Sequence, residues 1–176
     1  MDASPDVRAL LPPAKGGLLN RTVAWRAFGV LGPTVTVMSM AAFLATFVAA
    51  GWRPGDPFPG GDVAAAASGA AFMTVVIAQS ANAFACRGSS RWAGALGWTT
   101  NHLLPPAAAI ELVFALSVIA VPALATQLDH RLPTPVGWSV ALASGVVVLV
   151  ADAADKRRRG RSRLRSARRD AAPPRP

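Results

Sequence analysis

AFMTVVIAQSANAFACRGSSR, residues 71–91, is the stretch on which the fold turns. It is apolar for most of its length, ends in Arg87 and Arg91, and carries two amides, Gln79 and Asn82, in its interior. On a helix, residues three apart share a face, so the amides stand on one stripe that Val75 and Cys86 extend by a turn each way. The segment reads as a membrane span with one polar face. An unsatisfied polar group in hydrocarbon costs several kcal/mol, so that face is expected to point at other helices or at an ion path, and away from lipid.

Working outward, the apolar residues, 52% of 176, come in blocks. Four stretches, 27–50, 63–86, 103–128 and the shorter 136–151, are read as spans, each of which takes about 20 mostly apolar residues. The last has sixteen residues, about 24 Å of helix against a hydrocarbon core of roughly 30 Å, so it must borrow from its flanks. The tryptophans, Trp25, Trp52, Trp92, Trp98 and Trp138, lie at or just outside these ends. An indole prefers that headgroup level, so they support the boundaries independently of hydropathy.

The net charge of +9 is informative through its distribution. Sixteen of the 18 Lys and Arg lie before or at the start of the first block, in the loop 87–101, or from Lys156 onward; Arg53 and Arg131 are the other two. Cytoplasmic loops carry the excess of Lys and Arg, so both termini and the loop 87–101 are assigned to the cytoplasm. The fold class is therefore an all-α membrane protein with four transmembrane helices and both termini cytoplasmic. The lipid bilayer is the first partner, and the basic tail faces anionic lipid, a simpler account of its charge than nucleic-acid binding. Cysteines introduced at Gly55 and Asp129 are expected to react with an impermeant thiol reagent from outside, and one at Ser90 only after permeabilisation; external labelling at Ser90 overturns the orientation.

Three parts follow: a cytoplasmic lead-in at 1–20, a four-helix domain at 21–155, and a basic tail at 156–176 expected to be disordered. The N-terminus lacks the apolar run of a signal peptide, so the first span is expected to act as its own insertion signal. Gly29, Gly32 and Pro33 predict a kink in that span, with Thr34 or Thr36 satisfying a freed carbonyl. The loop 51–62, rich in Pro and Gly, reads as a short external turn. Thr99, Thr100 or Asn101 is placed to cap the third span, Pro105 and Pro106 suit its first turn, and Pro122 is expected to bend its outer end. Gly137, Ala141 and Gly145, at steps of four, form a small-residue ridge of the kind that lets helix backbones approach closely in lipid, or a chance pattern in a chain rich in Ala and Gly. Ser39, Thr46, Thr74 and Ser117 are expected to bond carbonyls of their own helices. Abundant Arg, Ala, Gly and Pro suit a bacterial origin, hence an inner-membrane location.

The chemistry-bearing residues are few. Cys86 has no cysteine partner, and His102 and His130 fall on opposite sides of the membrane. No Gly-rich phosphate loop and no Ser/His/Asp set on one membrane face is present, so no catalytic residue, metal site or cofactor is assigned. Glu111 is the ionisable residue deep in a span, and such residues face partners or cavities. Gln79 and Glu111 lie at nearly the same depth, roughly 10 to 12 Å from the inner ends of their spans, so they are placed to meet.

Leu19-Asn20-Arg21 with Trp25-Arg26-Ala27-Phe28, the Gln-x-x-Asn-Ala-Phe-x-x-Arg run from Gln79 to Arg87, Asn101 through Leu112 with Glu111, and Leu149 through Arg159 occur in a telling order. Together they resemble the last four transmembrane helices, the seventh to tenth, of P-type cation-transporting ATPases. The resemblance implies a membrane-embedded module that contributes helices to a cation-transport region. Gln79 stands where calcium pumps have a carboxylate, Asn82 where sodium/potassium pumps have one, and Glu111 near a family glutamate. These three are the cation-binding candidates, for a monovalent or divalent cation, with a P-type ATPase core as the implied partner. Bonds to neighbouring helices are the competing reading for all three, for the amides of Gln79 and Asn82 and for the carboxyl of Glu111. Asp155-Lys156 is followed by Arg157 and so departs from the Asp-Lys-Thr-Gly-Thr phosphorylation motif. The chain is thus not expected to hydrolyse ATP alone, and is read as a separate chain of such a pump, with a small supporting or regulatory membrane protein, or a remnant of a truncated pump gene, as the alternative.

Overall fold

The computed structural model describes residues 24–88, 94 and 102–170, the segment 162–170 as backbone alone. The lead-in 1–20, the capping residues Thr99, Thr100 and Asn101, most of the loop 87–101 with Trp92 and Trp98, and residues 171–176 lie outside the described residues. Within them every regular element is helical.

The first span opens with a π-helical stretch, Trp25–Leu31, that runs into α1, Gly32–Ala49. The N–H of Gly32 reaches five residues back to the carbonyl of Ala27. Pro33, which has no N–H, falls in the first turn of α1, where none is needed. The expected weak point is therefore a widened winding, and Thr34 and Thr36 return hydroxyl bonds to Val30 and Gly32, at 2.7 and 3.0 Å. Beyond α1, Gly51 and Gly55 take φ of 94° and 107°, which an L side chain rarely adopts. They fold the loop back so that Trp52 stacks on Phe58 at 5.2 Å and both rings reach Phe47.

α2, Gly61–Ala85, is the central helix, and its buried face is made largely of Ala65, Ala66, Ala67, Gly69, Ala70 and Ala78. Such small residues let neighbouring backbones approach, and in lipid it is van der Waals packing that holds helices together. α3, Leu104–Ala120, ends where Val121 turns extended, ψ 115°, and Pro122 begins the short α4, Pro122–Gln127. The bend at Pro122 is thus a complete break. α5, Pro135–Asp170, returns through the bundle. Its small-residue ridge is a packing surface: a Cβ on Gly137 would lie 2.8 Å from that of Ala70, Ala141 is fully buried, and a Cβ on Gly145 would lie 3.3 Å from Ile77. Met73, Ala115, Ile119 and Ala141 form one core cluster, and Leu31, Ala78 and Val148 another nearer the inner end.

Two expectations about spans change. The helices long and apolar enough to cross a membrane are Trp25–Ala49, Gly61–Ala85 and Pro135–Arg161, so the span expected to be marginal is one of the long ones. The shorter member is Leu104–Ala120, because Pro122 cuts off the rest of that block. Nor does the helix stop at Lys156, where disorder was expected to begin: it continues to Asp170. Arg, Leu and Ala favour helix, Ser tolerates it, and no proline interrupts them before Pro173. Asp155 and Arg159, four apart, add an ion pair to that continuation.

The hydroxyls follow expectation with one exception. Thr46, Thr74 and Ser117 donate to carbonyls four residues back in their own helices. Ser39 instead donates across to the Ala71 carbonyl at 3.3 Å, linking α1 to α2. Ser144 likewise reaches Thr74 from α5, at 3.2 Å.

Candidate functional site

The polar stripe of α2 forms as expected, and the first span lies beside it. Gln79, Asn82 and Cys86 line one recess with Arg26, Ala27, Leu31, Gly32 and Val35, about 260 Å³ in volume. Gln79 is exposed there and Asn82 half-buried. Cys86 directs its thiol at Asn82 Oδ1, 3.4 Å away. The recess offers two neutral carbonyl oxygens, and its inner end is formed by a cation, Arg26. Six to eight oxygens surround a calcium ion, for example, so these amides supply at most part of a coordination shell. No metal-holding group of His, Cys, Asp or Glu occurs among the described residues.

Glu111 is not brought to Gln79. Its Oε2 accepts from the hydroxyl of Ser80, the next residue along α2, at 3.0 Å. Successive residues on a helix are about 100° apart; equal depth therefore leaves Gln79 turned to the first span while Ser80 meets α3. A double-mutant cycle is expected to show coupling of about 0.6 to 2 kcal/mol between Ser80→Ala and Glu111→Leu, the range for interhelical bonds in membranes. Gln79→Leu and Glu111→Leu should be additive within about 0.3 to 0.5 kcal/mol; coupling in the second cycle and none in the first reverses the assignment.

The most developed polar cluster was not among the sequence candidates. Asp152, 1% exposed, forms ion pairs with Arg26 of the first span at 2.5 Å and with Lys156, one turn along α5, at 2.7 Å. The ammonium of Lys156 also donates to the carbonyl of Ala85, at 2.8 Å. That carbonyl belongs to the last turn of α2, where backbone acceptors lack intrahelical donors and the dipole favours a cation. Three helical segments thus converge on one ion cluster, α2 through Lys156. The signal was present as Asp152 and Lys156, and Asp155 and Arg159, each four apart.

On the other side of the membrane, Ser68 and His130 Nδ1 lie 3.0 Å apart, and the imidazole packs against Phe72 at 5.3 Å. Arg131 pairs with Asp62 at 2.7 Å, and both are exposed. His102 is exposed in the turn before α3, so the two histidines stay apart, as expected. These outer contacts tie the return loop to the start of α2.

A family model described as the C-terminus of cation transporting ATPases matches residues 2–158. That range takes in the π-helical opening, α1 to α4, and α5 through its buried ion cluster. No curated protein and no solved structure matches the chain.

Proposed function

Because the chain belongs to the family of cation transporting ATPase C-termini, we propose that it is the membrane-embedded C-terminal module of a P-type cation pump. It works beside a core that carries the phosphorylation and nucleotide-binding machinery, as a separate chain, and contributes helices to the cation-transport region. The single observation that carries this reading is the exposure of Gln79 at mid-span on the polar stripe of α2. An amide at that depth needs a partner, and Gln79 has none among the described residues. Helices from outside this bundle satisfy it, and Gln79, Asn82 and Glu111 are the residues through which the module touches the ion path. A bacterial inner membrane suits the composition.

A second reading, a supporting or regulatory protein that no longer takes part in transport, is favoured by one specific observation. Gln79 and Asn82 are neutral where the family's pumps carry carboxylates, and Arg26 shares their recess. Affinity purification from the native membrane tests both readings. A P-type ATPase core is expected to copurify, and cation uptake by that core in vesicles is expected to need this chain. Copurification with uptake unchanged after the chain is removed selects the second reading, and absence of any pump from the purified material overturns both.

A further inference from the structure

Along α5, Asp152 and Asp155 face inward. Asp152 binds Arg26 and Lys156, and Asp155 pairs with Arg159. On another side of the same helix runs a shallow groove of Val146, Val150 and Ala153 that ends in Arg157, Arg158 and Arg161, with no acidic residue along it. Val146 and Val150 are about three-fifths exposed, at 62% and 61%. All three arginines are exposed as well.

The depth of this groove matters. Counting from Pro135, about 20 residues cross a hydrocarbon core of roughly 30 Å, which brings the helix to Ala154. Arg157, Arg158 and Arg161 then lie about 5 to 10 Å further on, within the headgroup layer. The valines lie at the level of acyl chains. An apolar strip leading into cations at headgroup height complements a molecule with a hydrocarbon tail and an anionic head.

We propose that this face of α5 is a binding site for one anionic phospholipid of the cytoplasmic leaflet. Its phosphodiester is held by Arg157 and Arg161, with Arg158 beside them, and its acyl chain lies along Val146, Val150 and Ala153. A guanidinium fork matches phosphate oxygens bidentately, which a diffuse attraction of the tail to the surface does not require. The site is independent of whether the chain works in a pump.

The test uses the full chain, purified in mild detergent and offered phosphatidylglycerol or phosphatidylcholine, with bound lipid counted by native mass spectrometry. Preferential retention of a single phosphatidylglycerol is expected. Arg157→Gln with Arg161→Gln is expected to weaken that retention on the order of 30-fold, taking about fivefold per surface cation. Arg168→Gln with Arg169→Gln, which removes the same charge further along the helix, is expected to leave it unchanged. Equal loss in both double variants overturns the site in favour of diffuse electrostatics, and equal retention of the two lipids overturns it outright. Displacement of phosphatidylglycerol by inorganic phosphate, at an ionic strength matched with chloride, also overturns it and marks a site for free anions.

Discussion

Replacing Asp152 with leucine is expected to destabilise the folded chain by about 3 to 5 kcal/mol, the cost of removing one partner from a buried ion pair. Arg26 and Lys156 both converge on this carboxylate, at 2.5 and 2.7 Å, and Asp152 is almost fully buried. Without it two cations face each other beside the end of α2, away from bulk water. The expense arises from the charges left behind, so a compensated variant behaves differently. Arg26→Met, Asp152→Leu and Lys156→Met together are expected to recover most of the loss, since replacing a whole buried ion cluster by apolar groups of similar volume is often neutral or stabilising. Unfolding in mixed micelles, followed by circular dichroism, measures both. A single variant within about 0.5 kcal/mol of the parent, the range of ordinary surface changes, shows that water reaches the cluster and that its charges are screened.

The second large effect is expected at Gly69. A Cβ at this position would collide with the backbone carbonyl oxygen of Arg131, and a backbone atom has less room to yield than the end of a side chain. The return loop is further held there by the N–H of Arg131, which donates to the Ala65 carbonyl at 3.0 Å. Gly69→Ala is therefore expected to cost about 3 kcal/mol, at the upper end for overpacking, and to loosen the Ser68–His130 contact with it. Gly160 provides the control, because a Cβ there meets nothing within 4 Å. Gly160→Ala, in a helix interior, is expected to stabilise by about 0.5 to 1 kcal/mol. Similar effects of the two substitutions in the same unfolding assay refute the close approach of loop and helix.

The parts of this fold legible in sequence are those governed by hydropathy and by the backbone chemistry of proline and glycine. The apolar blocks, the break at Pro122 and the irregular winding ahead of Pro33 follow from such local rules, whereas the steps of four from Gly137 left a packing face and a chance pattern equally open until the contacts of Gly137 and Gly145 decided for the first. Azimuth was harder to read. Whether Gln79 or its neighbour Ser80 meets Glu111 depends on how α2 is rotated against α3, and that rotation is set by the packing of many alanines. The Asp152 cluster was hidden for another reason. A hydropathy reading stops at the first charges, so Asp152 and Lys156 passed for the edge of a span, although their partners on the first span and on α2 make them interior. A polar helix and a polar coil also share a composition, so residue types alone lead to an expectation of disorder where the helix continues to Asp170.

That continuation gives the molecule a mechanical property. α5 is one uninterrupted helix of 36 residues, about 54 Å long, whereas a bilayer with its headgroups is about 40 to 45 Å thick. The excess projects as a stiff arm. A change in tilt of about 10°, small beside the 0 to 40° range of membrane helices, swings its far end by roughly 9 Å if the outer end is pinned. The Asp152 cluster ties α5 to the first span and, through Lys156, to α2, so α5 tilts together with those elements and the arm beyond the cluster turns a small tilt of the bundle into a displacement outside the membrane.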